Sequence, residues 1–419
     1  MRNYIKCRKP RGRRRAVDKY GLLPVHMYLS REDIPDVTDT KPLKMENKKM
    51  RQYKLLEISS QYDQYLRRFY NAHKDIETLS YEELFFMLVE DGFAESNFIH
   101  AQLKKLGIES KVIFYNNRNL QDKWGSEYKS TSYFDILLMQ IKEFAPDIIL
   151  ISDMSRFTKE ETKIIKTYVH TINKLVGFHF TTLDDRFKQN VSLYDQVYTG
   201  SKSFVNMMRN CGIPAYLLRH AFEPKILDKL PDTERKNEVC FSGSIVIGEY
   251  AHNNRLDMLD ILGESNVPYA FYGDIYNQTQ ADERYLNIIN KVEKSRKASL
   301  FGLDYYSALN QYNVCVNMHA PSIWDSVGSA GNVRMFEVTG LGSCLLTDYR
   351  NENAEIFDVD SEIVVYQSME DMVEKAKWLL ENPEKAKETA IAGQKKTLAN
   401  YTYKNKAEQL NEYIQELLK

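Results

Sequence analysis

From Lys54 onward, short apolar runs alternate with helix-length stretches in which apolar residues recur every three or four positions. That alternation predicts a parallel sheet covered by helices. KLLEIS (54–59), SKVIFY (110–115), the apolar run ending at Ser152, KLVGFHF (174–180), DQVYTGS (195–201) and PAYLLRHAF (214–222) are expected as strands, with helices such as ESNFIHAQLKKLG between them. EPKILDKLPDTERKN (223–237), with two prolines and many charges, reads as a surface connector. A second alternating unit follows in EVCFSGS (238–244), PYAFYGD (268–274), NVCVNMHAP (313–321), SCLLTD (343–348) and EIVVY (362–366). From about Met369 to Lys419 the spacing is helical with few breakers, which predicts two or three closing helices. The expected fold class is therefore α/β, with two doubly wound Rossmann-like domains, at 51–222 and 238–385, facing a central cleft. Residues 1–50 precede them, and 386–419 close the chain with a last helix returning to the first domain. Such sheets bind ligands at the carboxyl ends of their strands, so the cleft is the expected site.

Composition narrows this picture. At 419 residues and 43% hydrophobic, the chain is too long for one core and too apolar for disorder. No apolar stretch approaches the roughly 20 residues that span a bilayer, and MRNYIKCRKPRGRRR lacks the apolar core of a signal peptide, so a cytoplasmic location is expected. Cys7, Cys211, Cys240, Cys315 and Cys344 lie far apart without the paired spacing of a zinc site, and are expected as reduced core thiols. The formal net charge of −1 hides an asymmetry, because residues 1–15 hold eight cations and no acid. Without them, 49 basic residues face 58 acidic ones, a balance of −9. The arm suits an anionic membrane surface or an acidic partner, with nucleic acid the less favoured; a solubilising tail is the plain alternative.

The densest candidate chemistry is in NVCVNMHAPSIWDSVGSAGNVRMFEVTGLGSCLLTD (313–348). A strand ending at Asn317 leads through a small-residue loop to a helix opened by Asn332, Val333 and Arg334, with Glu337 one turn further on. A diphosphate fits such a helix N-terminus, where unpaired N–H groups and about half a positive charge point outward. Arg334 would add a bidentate donor and Glu337 would accept from ribose hydroxyls. A capped helix with both side chains in solvent is the alternative reading.

This block resembles the carboxy-terminal domain of the CgeB-like (spore maturation protein) glycosyltransferases, a branch of the GT-B nucleotide-sugar glycosyltransferases. RMFEVTGLGSCLLTD carries the likeness, which continues through EIFDVDSEIVVYQSMEDMVEKAKWLLENPEKAKETAIAGQKKTLANYTYKNKAEQL. YDQVYTGSKSFVNMMRNCGIPAYLLRHAFEP and EVCFSGSI upstream extend it over about residues 140–412. The resemblance implies a GT-B fold and transfer of a sugar from a nucleotide diphosphate, a UDP-sugar first of all, to an acceptor it does not identify. In related retaining enzymes two glutamates eight positions apart bracket the donor; the second corresponds to Glu337, while Ser329 stands where the first would be. Gly243 and Ser244 match the glycine loop that approaches the diphosphate, and Tyr272, Gly273 and Asp274 would lie near the base.

For the chemistry itself, His319 could donate to a diphosphate or sugar hydroxyl from beyond Asn317. His179 and Asp153, ending two strands of the first domain, could deprotonate an acceptor hydroxyl if the enzyme inverts. His220 is expected only to line the hinge. DVD (358–360) and DD (184–185) sit wrongly for the metal-binding acid pair of the other nucleotide-sugar fold, so no cofactor and no essential metal are expected. The alternative to an enzyme is a noncatalytic GT-B-like subunit that binds a nucleotide or glycan and scaffolds a partner.

Overall fold

Lys54–Ser59 (β1) buries Leu55, Leu56, Glu57 and Ile58, and Ile148–Ile151 (β3) is buried at all four positions. Strands covered on both faces belong in the interior of a parallel sheet. Here β1 pairs in parallel with Glu109–Phe114 (β2) on one side and β3 on the other. Lys174–Phe178 (β4), Gln196–Thr199 (β5) and Ala215–Leu217 (β6) complete the order β2-β1-β3-β4-β5-β6. The computed structural model describes residues 51–128, 132–169, 173–180, 184–248, 252–319 and 329–419. The basic arm expected at the amino terminus lies outside them.

The second sheet is built from Lys236–Ser242 (β7), Tyr269–Tyr272 (β9), Arg296–Lys297 (β11), Tyr312–Asn317 (β12), Cys344–Asp348 (β13) and Val364–Tyr366 (β14), in the order β11-β9-β7-β12-β13-β14. Ile245–Val246 (β8) and Ile275–Tyr276 (β10) form a separate parallel pair. Strand order reverses between β1 and β3 in one sheet and between β7 and β12 in the other, and at such reversals a crevice opens beyond the carboxyl ends. The α/β architecture of two parallel sheets is the one expected from the sequence.

The differences concern where strands stop. The apolar run at 174–180 leaves the sheet after Phe178, and that at 313–321 after Asn317. His179, Phe180 and His319 beyond these ends are needed for loop packing and so imitate strand residues. β8, β10 and β11 are two residues each, too short to leave a periodicity. The supposed surface connector is partly interior. Ile226 in its 3-10 turn Pro224–Lys229 is buried, and Arg235 donates to the Leu341 carbonyl at 2.7 Å and the Ser343 hydroxyl at 3.0 Å.

The helix Tyr403–Leu417 opens with a reciprocal cap between Thr402 and Asn405 and packs on the helix Phe98–Lys105, with the Phe98 and Tyr403 rings 5.1 Å apart. Tyr53 donates to its Asn411 at 2.9 Å, and its Tyr413 donates to the Leu217 carbonyl at 2.8 Å. The end of the chain is thereby fastened to the first sheet. A second link runs through Glu352, after β13. Its buried carboxylate accepts from Ser201 Oγ at 2.8 Å, from Lys202 and Ser203 N–H at 3.2 and 3.0 Å, and from Arg219 at 3.4 Å, at the start of the helix Lys202–Asn210.

Cys240, Cys315 and Cys344 are free and buried, as their apolar surroundings implied. Cys211 is only half-buried, past the end of the helix Lys202–Asn210, so it does not share their core position. Cys7 is outside the described residues. Among the described residues no helix is long and apolar enough to cross a membrane.

Candidate functional site

A cavity of about 810 Å³ lies between the carboxyl ends of the two sheets, with Ser59 and Ser152 on one side and Ser242 on the other. Its second-sheet wall is organised by Asn317, a fully buried residue at the end of β12. The Asn317 side-chain oxygen Oδ1 accepts from Asn332 at 3.0 Å and from Arg334 at 3.2 Å, while its side-chain Nδ2 donates to Thr347 at 3.0 Å. Asn332 caps the helix Val333–Gly340 by accepting from the Met335 N–H at 3.3 Å. Asn317 stands behind the cavity and aims Arg334; Val333, Arg334 and Glu337 line it.

The Arg334 guanidinium lies 5.5 Å over the Phe241 ring, and its Nε is buried without a partner among the described residues. Glu337 is only 8% exposed, and it accepts from the Tyr305 hydroxyl at 2.7 Å and more weakly from Tyr306 at 3.4 Å. Burial raises its carboxyl above the ordinary value against the opposing pull of those hydroxyls and Arg334. The solvated helix is thus excluded for both side chains.

Sequence reasoning missed Arg255, in the first turn of the helix Asn253–Glu264. It lines the same wall, donates to the Ser244 carbonyl at 2.7 Å and the Met318 carbonyl at 3.3 Å, and has a buried Nε with no partner among the described residues. Burial, then the neighbouring Arg334, pulls its guanidinium down to about 9. Two desolvated guanidiniums on one wall repel unless an anion lies between or beside them. An arginine opening the helix after a glycine loop was the signal available.

Gly243, at φ +155°, has no room for a side chain, since a Cβ would come within 2.7 Å of Arg334 Nη2. A Cβ on Gly273 would overlap the Gly243 carbonyl, so the loops after β7 and β9 touch through backbone alone. Gly243, Ser244, Tyr272 and Gly273 line the cavity. Asp274 turns away: it pairs with Arg296 at 3.3 Å and accepts from Ser299 at 2.7 Å.

The remaining candidates are not brought to the cavity. Asp153 is exposed and accepts from the Ser155 N–H at 3.1 Å, a local turn contact. His179 is buried with its ring 4.0 Å from Phe187, so the expected base is a core residue. His319 Nδ1 lies 2.7 Å from Asp348, a carboxylate that His319 and Arg350 hold well below its ordinary value despite burial. His319 belongs to the β12–β13 edge behind the wall. The Ser329 and Ser201 hydroxyls lie 2.8 Å apart, in the contact between the two halves, with the single Ser201 proton directed to Glu352.

The first-sheet wall carries two carboxylates, Glu57 and Glu95, that the sequence did not single out. Glu57, buried within β1, lies 2.7 Å from His100 and accepts from Ser152. Glu95 and His220 line the cavity beside Phe178 and Phe180. His220 therefore stands on the site, not only at the hinge.

Residues 252–412 match a family model described as glycosyl transferase-like. No curated protein sequence matches the chain. Among solved structures, HepE of Anabaena, in complex with UDP and glucose, is 11% identical with a TM-score of 0.54, over 87% of this chain and all of that one. A glycosyltransferase of Rickettsia africae is 12% identical with a TM-score of 0.54, over 88% of this chain and 99% of its own. AviGT4, a glycosyltransferase involved in avilamycin A biosynthesis, is 11% identical with a TM-score of 0.54, over 87% of this chain and 98% of its own. Two parallel-sheet α/β domains with a cavity at their strand carboxyl ends, superposing on these enzymes over nearly their whole length, make this a GT-B fold.

Proposed function

We propose that the chain is a glycosyltransferase, of the CgeB-like branch, which moves a sugar from a nucleotide diphosphate to an acceptor held against the first sheet. The observation that carries this reading is the wall formed by Arg255, Arg334 and the helix Val333–Gly340, with Glu337 one turn away. The arginines and the helix N-terminus meet the diphosphate, and Glu337 accepts from ribose hydroxyls. As the glycosidic bond breaks, negative charge grows on the leaving diphosphate, and cations fixed in a desolvated wall stabilise it most at that moment. These groups supply the charge a divalent ion would, so transfer is expected to proceed in the presence of a chelator. UDP is the nucleotide favoured, because the fold-sharing HepE is in complex with UDP and with UDP-glucose.

The test is thermal stability with UDP-glucose, UDP-galactose, UDP-N-acetylglucosamine and GDP-mannose, followed by release of nucleotide diphosphate. A ligand at 100 times its dissociation constant adds about 2.7 kcal/mol. Stabilisation with turnover supports the reading, and stabilisation by none of the four removes it. Stabilisation without turnover favours the second reading, a noncatalytic binding subunit. The observation on that side is Ser329, which stands where retaining relatives carry an acid and hydrogen-bonds Ser201 outside the cavity.

A further inference from the structure

Three segments remote in sequence bring a histidine, a carboxylate and an ammonium together at the first-sheet wall, where His220 and Glu95 line the cavity and Lys406 lies behind them. His220 follows β6, Glu95 precedes the helix Phe98–Lys105, and Lys406 projects from the helix Tyr403–Leu417. Lys406 is 3% exposed, in ion-pair contact with Glu95 and surrounded by the rings of Phe178, Tyr403 and Phe180 at 4.9, 5.5 and 5.7 Å. Glu95 Oε1 lies 3.8 Å from His220 Nδ1, and the imidazole packs tilted against Phe180 with ring centroids 4.4 Å apart. A buried ammonium is costly, and an apolar residue of similar volume would hold the Lys406 position at least as well. Its placement directly behind a cavity-lining histidine points to chemistry.

We propose that His220 is the general base of the transfer, with Glu95 and Lys406 as its positioning residues; this rests on the glycosyltransferase reading above. A proton on Nδ1 faces the Glu95 carboxylate, which leaves the Nε2 lone pair for the cavity. The acceptor hydroxyl is deprotonated by Nε2 as its oxygen bonds to the sugar C1. The C1–O bond to the diphosphate breaks, and the electron pair departs with the diphosphate. The imidazolium so formed is balanced by Glu95, as in other histidine–carboxylate pairs.

The charged groups facing the ring are Glu95 and Lys406; Tyr306 and Tyr403, kept protonated by burial, face Glu95. Burial would raise the Glu95 carboxyl, but Lys406 and His220 outweigh it and hold it down at about 2, so it stays ionised throughout the working range. Burial and Lys406 lower the imidazole, which Glu95 only partly offsets, so His220 is neutral at pH 7 and free to accept a proton.

The experiment measures the donor selected by the panel above, UDP-glucose first, against wild type, H220Q, H220N and E95Q. Calorimetry reads donor binding, and release of nucleotide diphosphate reads turnover with water and with glucose as acceptors. Loss of a general base costs roughly 100- to 10,000-fold in rate. H220Q and H220N are expected to bind donor as wild type does, which also shows that they fold, and to lose at least 100-fold in turnover. E95Q removes the anion that stabilises the imidazolium, so the acidic limb of its rate profile should move to lower pH as its maximal rate falls. A histidine with a packing role alone would leave that limb in place. Donor binding and turnover within threefold of wild type in H220Q, or an unmoved limb in E95Q, overturns the proposal. Wild type that binds no nucleotide sugar overturns the underlying reading and this one together, which separates the two failures.

Discussion

Glu337 is a carboxylate that its surroundings make costly to keep, buried beside two tyrosines and lifted above its ordinary value. Tyr305 and Tyr306 hold it in place for the cavity. Replacing it with Gln keeps the shape and removes the charge. A hydrogen bond to a charged group is worth about 1.5–3 kcal/mol, so E337Q should weaken UDP binding roughly ten- to a hundredfold by calorimetry, with the melting temperature little changed. Equal affinity would show that ribose does not meet this residue. Arg334 is constrained differently: Phe241 supports its flat face and Asn317 fixes one end, a geometry that an ammonium cannot adopt. R334K should therefore lose at least tenfold in turnover, and wild-type turnover would put the diphosphate elsewhere. Arg334 and Glu337 were legible because helix geometry alone sets them on neighbouring turns. His220, Glu95 and Glu57 were not, since each acquires its place from contacts with segments far away in sequence. His179 and Asp153 misled because the end of a strand says how far the chain runs but not which way its last side chain turns.

At the scale of elements, the sequence announced both sheets through buried strands, whose apolar runs have no other use. The strand ends were less legible, because loops that wall a cavity repeat the composition of the strands they leave. The loops after β7 and β9 show what this requires. Gly273 has no space for a methyl group, and the obstacle is the Gly243 carbonyl, a backbone group that cannot rotate aside. G273A must push the two loops apart, shifting Gly243 against Arg334. Overpacking of this kind costs about 1–3 kcal/mol. The expected outcome is a lower melting temperature together with weaker UDP binding. A variant with both unchanged would mean that the two loops are free to separate, and that their contact does not shape the wall.

For the molecule as a whole, the cavity exists only because two sheets are held with their carboxyl ends opposed, and Glu352 bears directly on that arrangement. Its carboxylate is 4% exposed and takes hydrogen bonds from Ser201, Lys202 and Ser203 at a helix N-terminus of the first sheet, with Arg219 alongside. A helix N-terminus carries about half a positive charge and unpaired N–H groups, so it favours an anion delivered from the opposite half. The link is polar, and water can replace each of its hydrogen bonds when the halves part, which suits a hinge better than an apolar seam would. Removing one partner of a buried charged network costs about 3–5 kcal/mol, and 1.4 kcal/mol is tenfold in an equilibrium, so E352A should raise the open fraction at least a hundredfold. In solution scattering, E352A without ligand is expected to have a larger radius of gyration than wild type. Saturating UDP-sugar should bring the two together, because a donor touching both walls binds the closed form more tightly. A radius of gyration identical in E352A and wild type, at equal thermal stability, would show that the halves are held by the Tyr403–Leu417 helix and the 223–237 segment alone.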